Sequence, residues 1–250
     1  MLRPRVIPTL LVHGKSLVKT ERFRDFRYIG DPVNTVRIFN ELEVDELCFL
    51  DIGAARTRSS PNFDLLRDIA SECFMPLSYG GGVDNLETAK KIYGIGFEKI
   101  IINSSAFTNP DLISQIAKIF GSQSLIVSID IKNRMLGGIG VFSHGGTRFQ
   151  DVPSPCQWAR RVEELGAGEL LITSIDREGT WRGLDLNLIK NITDTVSIPV
   201  IAHGGGSGPD DVRDVVKISN ASAVALGSSL VFQKKGMGVL INFPREYHSI

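Results

Sequence analysis

The chain has 250 residues, with 28 Lys plus Arg against 28 Asp plus Glu, so its formal net charge is zero. Charged residues make up 22% and hydrophobic residues 42%. This globular balance excludes disorder and argues against a nucleic-acid binder that relies on bulk positive charge. The apolar runs are strand-length, too short for membrane insertion as a helix, and residues 1–250 suffice for a single α/β barrel domain.

The start, Met1-Leu-Arg-Pro-Arg, lacks the apolar stretch of a signal peptide. Cys48, Cys73 and Cys156 are odd in number and far apart. They predict neither a disulfide framework nor a cysteine zinc site, and a cytoplasmic setting. His13, His144, His203 and His248 show no metal-ligand spacing, so neither metal nor cofactor is expected.

Taken in chain order, a near-continuous apolar run at 6–12 opens the pattern. Lys19 follows in a predicted loop long enough to close over a site at the end of that run. Asp31-Pro32 then gives an N-cap followed by proline at the first helical position. Runs at 46–52 and 75–79 follow, the second ending in Gly80-Gly81-Gly82, and Asn85 caps the next predicted helix. The run at 99–103 leads into Ser104-Ser105, and Asn109-Pro110 predicts another capped helix. The run at 124–131 carries Asp130 near its end. Residues 133–154 lack apolar periodicity and predict a long loop or ribbon. Ser154-Pro155 opens a further helix, and runs at 169–175, 198–202 and 223–227 complete the set. The last two end in Gly204-Gly205-Gly206 and Gly227-Ser228-Ser229. Unbroken apolar runs of this length are strands buried on both faces of a parallel sheet. Eight of them alternating with helices are eight βα units, which either an open doubly wound sheet or a closed barrel satisfies.

An internal repeat favours closure. The glycine triplet at 80–82 recurs 124 residues later at 204–206, and the serine pair after Asn103 recurs at the same offset after Gly227. Two similar (βα)4 halves predict a (βα)8 TIM barrel, whose chemistry sits at the C-terminal ends of the strands. Both triplets and both serine pairs fall there. Glycine lets backbone N–H groups approach an anion. Gly80, Gly81, Gly82 with Ser104, and Gly204, Gly205, Gly206 with Ser228 and Ser229, are therefore candidate phosphate cradles for a ligand with two phosphates. Asp130 is a candidate general acid or base. Its repeat mate falls on Leu11, so the chain has only one of a possible carboxylate pair. Asp51 and Asp176, also at strand ends, are expected to be structural or ligand-orienting, and His203 to be a hydrogen-bonded turn histidine.

These residues resemble the cyclase subunit of imidazole glycerol phosphate synthase over nearly the whole length. The likeness is carried by Gly30-Asp-Pro32, Asp45-Glu-Leu-Cys-Phe-Leu-Asp51, Gly80-Gly-Gly82, Asn103-Ser-Ser-Ala, Phe120-Gly-Ser-Gln123, Gly166-Ala-Gly-Glu169 and Thr173-Ser-Ile-Asp-Arg-Glu-Gly-Thr180. The resemblance implies a (βα)8 barrel that receives ammonia from a glutaminase partner at its N-terminal face. The ammonia reacts at the C-terminal face with a phosphorylated small molecule, giving imidazole glycerol phosphate and the aminoimidazole carboxamide ribotide. It implies an ammonia gate at Arg5, Glu46, Lys99 and Glu169, a partner-facing acid at Glu98, and substrate positions at Lys19, Asn103, Asp130, Glu178 and Gly179. Glu178 replaces the family's Asp by one methylene. The chain departs from the family at Leu11, where the first catalytic Asp belongs, and at Thr9, where a Cys does. Retained delivery with altered chemistry is similar to paralogues found with surface-polysaccharide genes. These are thought to supply ammonia, with an N-acetyl sugar amidotransferase, for converting an acetamido group into an acetamidino group. The alternatives are a true histidine-pathway cyclase using another acid such as His13 or Glu178, and a non-catalytic conduit that activates the glutaminase.

Overall fold

The computed structural model describes residues 3–57, 59–134 and 137–250. Eight parallel strands close into a barrel: β1 (Arg5–His13), β4 (Leu47–Asp51), β5 (Leu77–Gly80), β6 (Lys99–Ile102), β7 (Leu125–Asn133), β10 (Glu169–Ser174), β11 (Val200–His203) and β12 (Ala223–Leu226). Each pairs with the next, and β12 pairs with β1 in the register Arg5 to Ala223, which closes the circle. The chain is thus the (βα)8 barrel that the repeat implied, and the open sheet is excluded.

Between the strands run α1 (Pro32–Glu41), α3 (Phe63–Glu72), α4 (Leu86–Ile95), α6 (Asp111–Phe120), α7 (Pro155–Glu164), α8 (Leu186–Thr193) and α9 (Pro209–Ser219). Short turns of helix, α2 (Ala54–Thr57), α5 (Ser104–Thr108) and α10 (Ser228–Val231), sit directly after β4, β6 and β12. Asp31, Asn85 and Ser154 cap their helices through the side chain, accepting from Asn34, Thr88 and Gln157 N–H groups. Asn109 does not: α6 begins after Pro110 without a side-chain cap, and Asn109 accepts the Leu112 N–H through its backbone carbonyl.

Side chains alternate in and out along each strand, and here both faces are buried. The outward side chains pack under the helices in one large core that includes Val6, Leu10, Phe49, Ile100, Val127 and Ile172. The inward ones stack in layers up the barrel. Arg5, Glu46, Lys99 and Glu169 form the floor. Above them Ile7, Cys48, Ile101, Ile126, Leu171 and Ile201 fill the interior. Small polar Thr9, Ser128 and Thr173 follow, all buried, and Leu11, Asn103, Asp130 and His203 reach the mouth. This double burial is why the strands read as unbroken apolar runs.

The predicted loop around Lys19 is a strand. β2 (Ser16–Glu21) and β3 (Arg24–Gly30) form an antiparallel hairpin extending β1. The region 133–154 forms the matching ribbon: β8 (Ile139–Ser143) pairs with β7, and β9 (Arg148–Gln150) pairs with β8. Each half therefore carries a two-stranded ribbon after its first barrel strand.

Candidate active site

A cavity of about 360 Å³ opens at the C-terminal mouth, lined by Leu11, Gly80, Gly81, Gly82, Asn103, Ser104, Asp130, Thr173, Glu178 and His203 among others. Its floor is the barrel interior, and the ribbon residues His144 and Arg148 form part of its rim. The turn after β5 comes against the end of β4: a Cβ on Gly81, at φ +126°, would lie 2.5 Å from the Asp51 carbonyl oxygen. Glycine is required there for the chain to turn. Asp51 holds the opposite side of that turn, its Oδ1 accepting the Gly53 and Ala54 N–H groups at 3.0 and 3.1 Å. Asp176 accepts the Asn133 N–H at 2.7 Å and joins the two strand ends. Ser104 accepts the His144 N–H at 3.1 Å, tying the ribbon to the start of α5 after β6.

The second glycine turn faces a much smaller space. Gly204, Gly205, Gly206 and Ser228 line a cavity of about 20 Å³ with Leu11, Lys19, Glu178, Gly179 and His203. Ser229 does not line it; its buried Oγ has no hydrogen-bond partner among the described residues. The two halves thus offer unequal pockets from equivalent sequence motifs.

Asp130 is buried at the end of β7. Ser128 donates to its Oδ1 at 3.1 Å and Asn103 to its Oδ2 at 3.3 Å. Burial pushes its pKa up to about 7, against the hydrogen bonds from Ser128 and Thr173. A carboxyl poised there exchanges protons at neutral pH. Lys19 does not sit in an open loop but is 3% exposed. Its ammonium donates to the Thr9 carbonyl oxygen, and burial lowers its pKa to about 8 while Glu178 opposes. Glu178 is held by the hairpin rather than free: Thr20 Oγ1 and the Phe23 N–H donate to its carboxylate at 3.1 and 3.0 Å. Burial raises its pKa, against those donors and the Lys19 charge.

His203 is the residue that its neighbouring glycines obscured. It ends the inward column of β11, two positions above Ile201, so strand parity alone aims it into the mouth. Its Nδ1 lies 3.1 Å from Thr173 Oγ1. Burial, and then the Lys19 charge, lower its pKa to about 3, so the imidazole is neutral.

At the opposite end, the four floor charges form a closed ring. Arg5 reaches Glu46 at 2.8 Å and Glu169 at 3.1 Å, while Lys99 reaches the same two at 3.3 and 2.9 Å. Burial works against the Arg5 charge, but Glu169 and Glu46 outweigh it and its pKa is raised. Glu46 Oε1 is buried without a hydrogen-bond partner among the described residues. Glu98 lies on the same face, exposed, with Oε2 accepting the Leu77 N–H at 2.6 Å. Among the described residues no three His, Cys, Asp or Glu side chains are grouped to hold a metal ion, and no helix is long and apolar enough to cross a membrane.

A closed barrel of two ribbon-bearing halves, with one near-neutral carboxyl at its mouth and a charged ring in its floor, defines a (βα)8 protein whose site lies at the strand C-termini. The profile of the family described as histidine biosynthesis protein matches residues 5–235. The chain is 48% identical, over 98% of its length and 97% of the relative's, to a Pseudomonas aeruginosa protein provisionally named a HisF-type subunit of imidazole glycerol phosphate synthase. Similarly named proteins of Leptospira interrogans and Vibrio vulnificus are 45% and 42% identical over 98% of this chain and 96% and 94% of their own. The chain belongs to the histidine biosynthesis protein family, as a HisF-like synthase subunit.

Proposed function

We propose that this chain is the synthase-type half of a glutamine amidotransferase. Ammonia from a HisH-like glutaminase enters through the floor ring and crosses the barrel. It is added at the mouth to a phosphorylated acceptor, with Asp130 as the acid–base group. The observation that carries this reading is the closed ring Arg5–Glu46–Lys99–Glu169 beneath the cavity. Four ionised groups in a barrel floor cost desolvation that well-packed apolar residues would avoid, so a passage gives them a role that stability does not. Glu46 Oε1, buried with no hydrogen-bond partner among the described residues, is an acceptor for an N–H passing through. The larger cavity, with Gly80, Gly81, Gly82 and Ser104, suits a phosphate beside Asp130. Gly205, Gly206 and Ser228 suit a second group once their small cavity opens.

Leu11 sets the chemistry. An isobutyl group at the end of β1 neither gives nor takes a proton, so the two-carboxylate route of the cyclase is missing one member. A general acid or base commonly supplies ~10²–10⁴-fold in rate. This favours an acceptor outside histidine synthesis, and the reading extends to amidination of an acetamido sugar of surface polysaccharide with an N-acetyl sugar amidotransferase. The intact Asp130 pocket supports a second reading, the histidine-pathway cyclase.

A cyclase assay with ammonium salt and the ribulosyl carboxamide nucleotide, run on the parent chain and Leu11→Asp, separates them. No turnover by the parent with turnover gained in Leu11→Asp is expected. Turnover by the parent would place it in histidine synthesis.

A further inference from the structure

Asp130, Thr173 and His203 stand in a row across three neighbouring strands. Asp130 is in register with Thr173, and Thr173 with His203. The Thr173 hydroxyl lies 3.1 Å from His203 Nδ1, and Thr173 stands beside Asp130 on the next strand, where it helps to lower the carboxyl's pKa. All three side chains are buried. His203 lines both cavities, as do Leu11 and Glu178. Among the described residues Thr173 is the ring's hydrogen-bond partner, which leaves Nε2 for whatever fills the mouth.

A hydroxyl has one proton to donate and lone pairs that accept. When Asp130 is ionised, Thr173 donates to it, accepts from Nδ1–H, and Nε2 is left as a bare acceptor. When Asp130 is protonated, its O–H donates to Thr173, Thr173 donates to Nδ1, and Nε2 carries the hydrogen. A hydroxyl that bridges the two would tie the charge state of the carboxyl to the tautomer of the imidazole.

We propose that Asp130, Thr173 and His203 form a proton relay in which His203 Nε2 is the second acid–base point of the mouth, replacing the carboxylate that Leu11 removes. In the base direction Nε2 takes a proton from the reacting N–H or O–H, whose bonding pair stays on the substrate atom. The Nδ1 proton passes to Thr173, and the Thr173 proton passes to Asp130. The products are a neutral imidazole of the other tautomer, an unchanged hydroxyl and a carboxylic acid; the acid direction is the reverse. The surroundings match this division. Burial and Lys19 make an imidazolium unfavourable, and burial makes the protonated carboxyl favourable. The proton is thus stored on Asp130 and handled by His203. The other titratable groups around the two cavities are Lys19, Glu178, Asp51, Asp84, Arg148 and His144.

Assigning the relay to ammonia addition rests on the function proposed above, but its existence is tested without any substrate. The imidazole nitrogens of ¹⁵N-histidine-labelled full-length protein are followed by NMR from about pH 5 to about pH 9. His203 is identified among the four histidines by the signals lost in His203→Gln. The expected result is a change from Nε2–H to Nδ1–H as pH rises, with a midpoint about 7. Thr173→Val is expected to abolish the change, Thr173→Ser to keep it, and Asp130→Asn to lock the Nε2–H form. One tautomer throughout in the parent protein, or a change that survives Thr173→Val, would overturn the relay. Should Thr173→Val fail to fold, a change persisting in Asp130→Asn overturns it equally. A protein that shows the switch but never couples to a glutaminase keeps the relay and loses the functional reading.

Discussion

At Asp130 burial and hydrogen bonding pull against each other, and burial wins, holding the carboxyl at about 7 against an ordinary 3.8. A carboxyl whose pKa rises on folding binds its proton more tightly in the folded chain. Folded stability therefore falls as pH climbs from about 4 through about 7. Above that range the deficit reaches at most ~4 kcal/mol, each pH unit contributing ~1.4 kcal/mol. Asp130→Asn cannot ionise. It is expected to be more stable than the parent by roughly 1–3 kcal/mol at pH 8, after an allowance for weakened hydrogen bonds, and to gain nothing at pH 4. Urea midpoints at the two pH values test this, and an equal gain at both would show that burial does not tune the group. Asp130 was legible as a charged residue ending an apolar run. His203 was hidden beside three glycines that read as a turn, although counting two positions on from Ile201 puts it in the barrel mouth.

The hairpin β2–β3 lies over the mouth because Glu178 fastens it. Thr20 and the Phe23 N–H donate to the carboxylate, and the Arg22 N–H donates to the Glu178 carbonyl oxygen at 2.9 Å. Gly179 completes the contact: at φ +71°, a Cβ there would come 2.3 Å from the Thr20 carbonyl oxygen. Glu178→Ala is expected to raise amide exchange across residues 16–30 at least tenfold while the barrel strands keep their protection, because only the local opening free energy changes. Unchanged exchange in the hairpin would mean that β1 pairing alone secures it. Gly179→Ala, strained in backbone and in contact, is expected to cost roughly 2–4 kcal/mol, measured by urea denaturation. The barrel strands were legible because both of their faces are buried. The first ribbon was not, because β3 is exposed over Arg24–Tyr28 and its charged sequence carries no apolar signal; the second read as a loop or ribbon over 133–154, β8 and β9 being short and glycine-flanked. The strand carrying Lys19 was read as an open loop for the same reason.

For the molecule as a whole, the floor ring and the mouth are opposite ends of one stack of inward side chains, and a partner that feeds the first must cover the N-terminal face. Phe74, 89% exposed in the connection from α3 to β5, offers an apolar anchor on that face. Phe74→Asp is expected to weaken association with a HisH-like glutaminase at least tenfold in titration calorimetry, with fold and free-ammonia chemistry intact; undiminished binding would remove Phe74 from the interface. Lys99→Ala leaves Glu46 and Glu169 to share Arg5. It is expected to cost about 1–3 kcal/mol and to uncouple glutamine hydrolysis from product formation while free ammonia still works. Equal loss with glutamine and with ammonia would show that the ring is structural only.

The ring also divides unequally between the halves of the repeat. Arg5, Glu46 and Lys99 belong to the first and Glu169 to the second, and each cation is shared between both carboxylates. If the chain were cut between α6 and β7, a pair of first fragments would gather an excess of positive charge in its floor. A pair of second fragments would bring two carboxylates together with no cation. Only the mixed pair is neutral, so co-refolded fragments should sort into heterodimers: the ring is a lock that lets each half of the barrel recognise the other and reject itself.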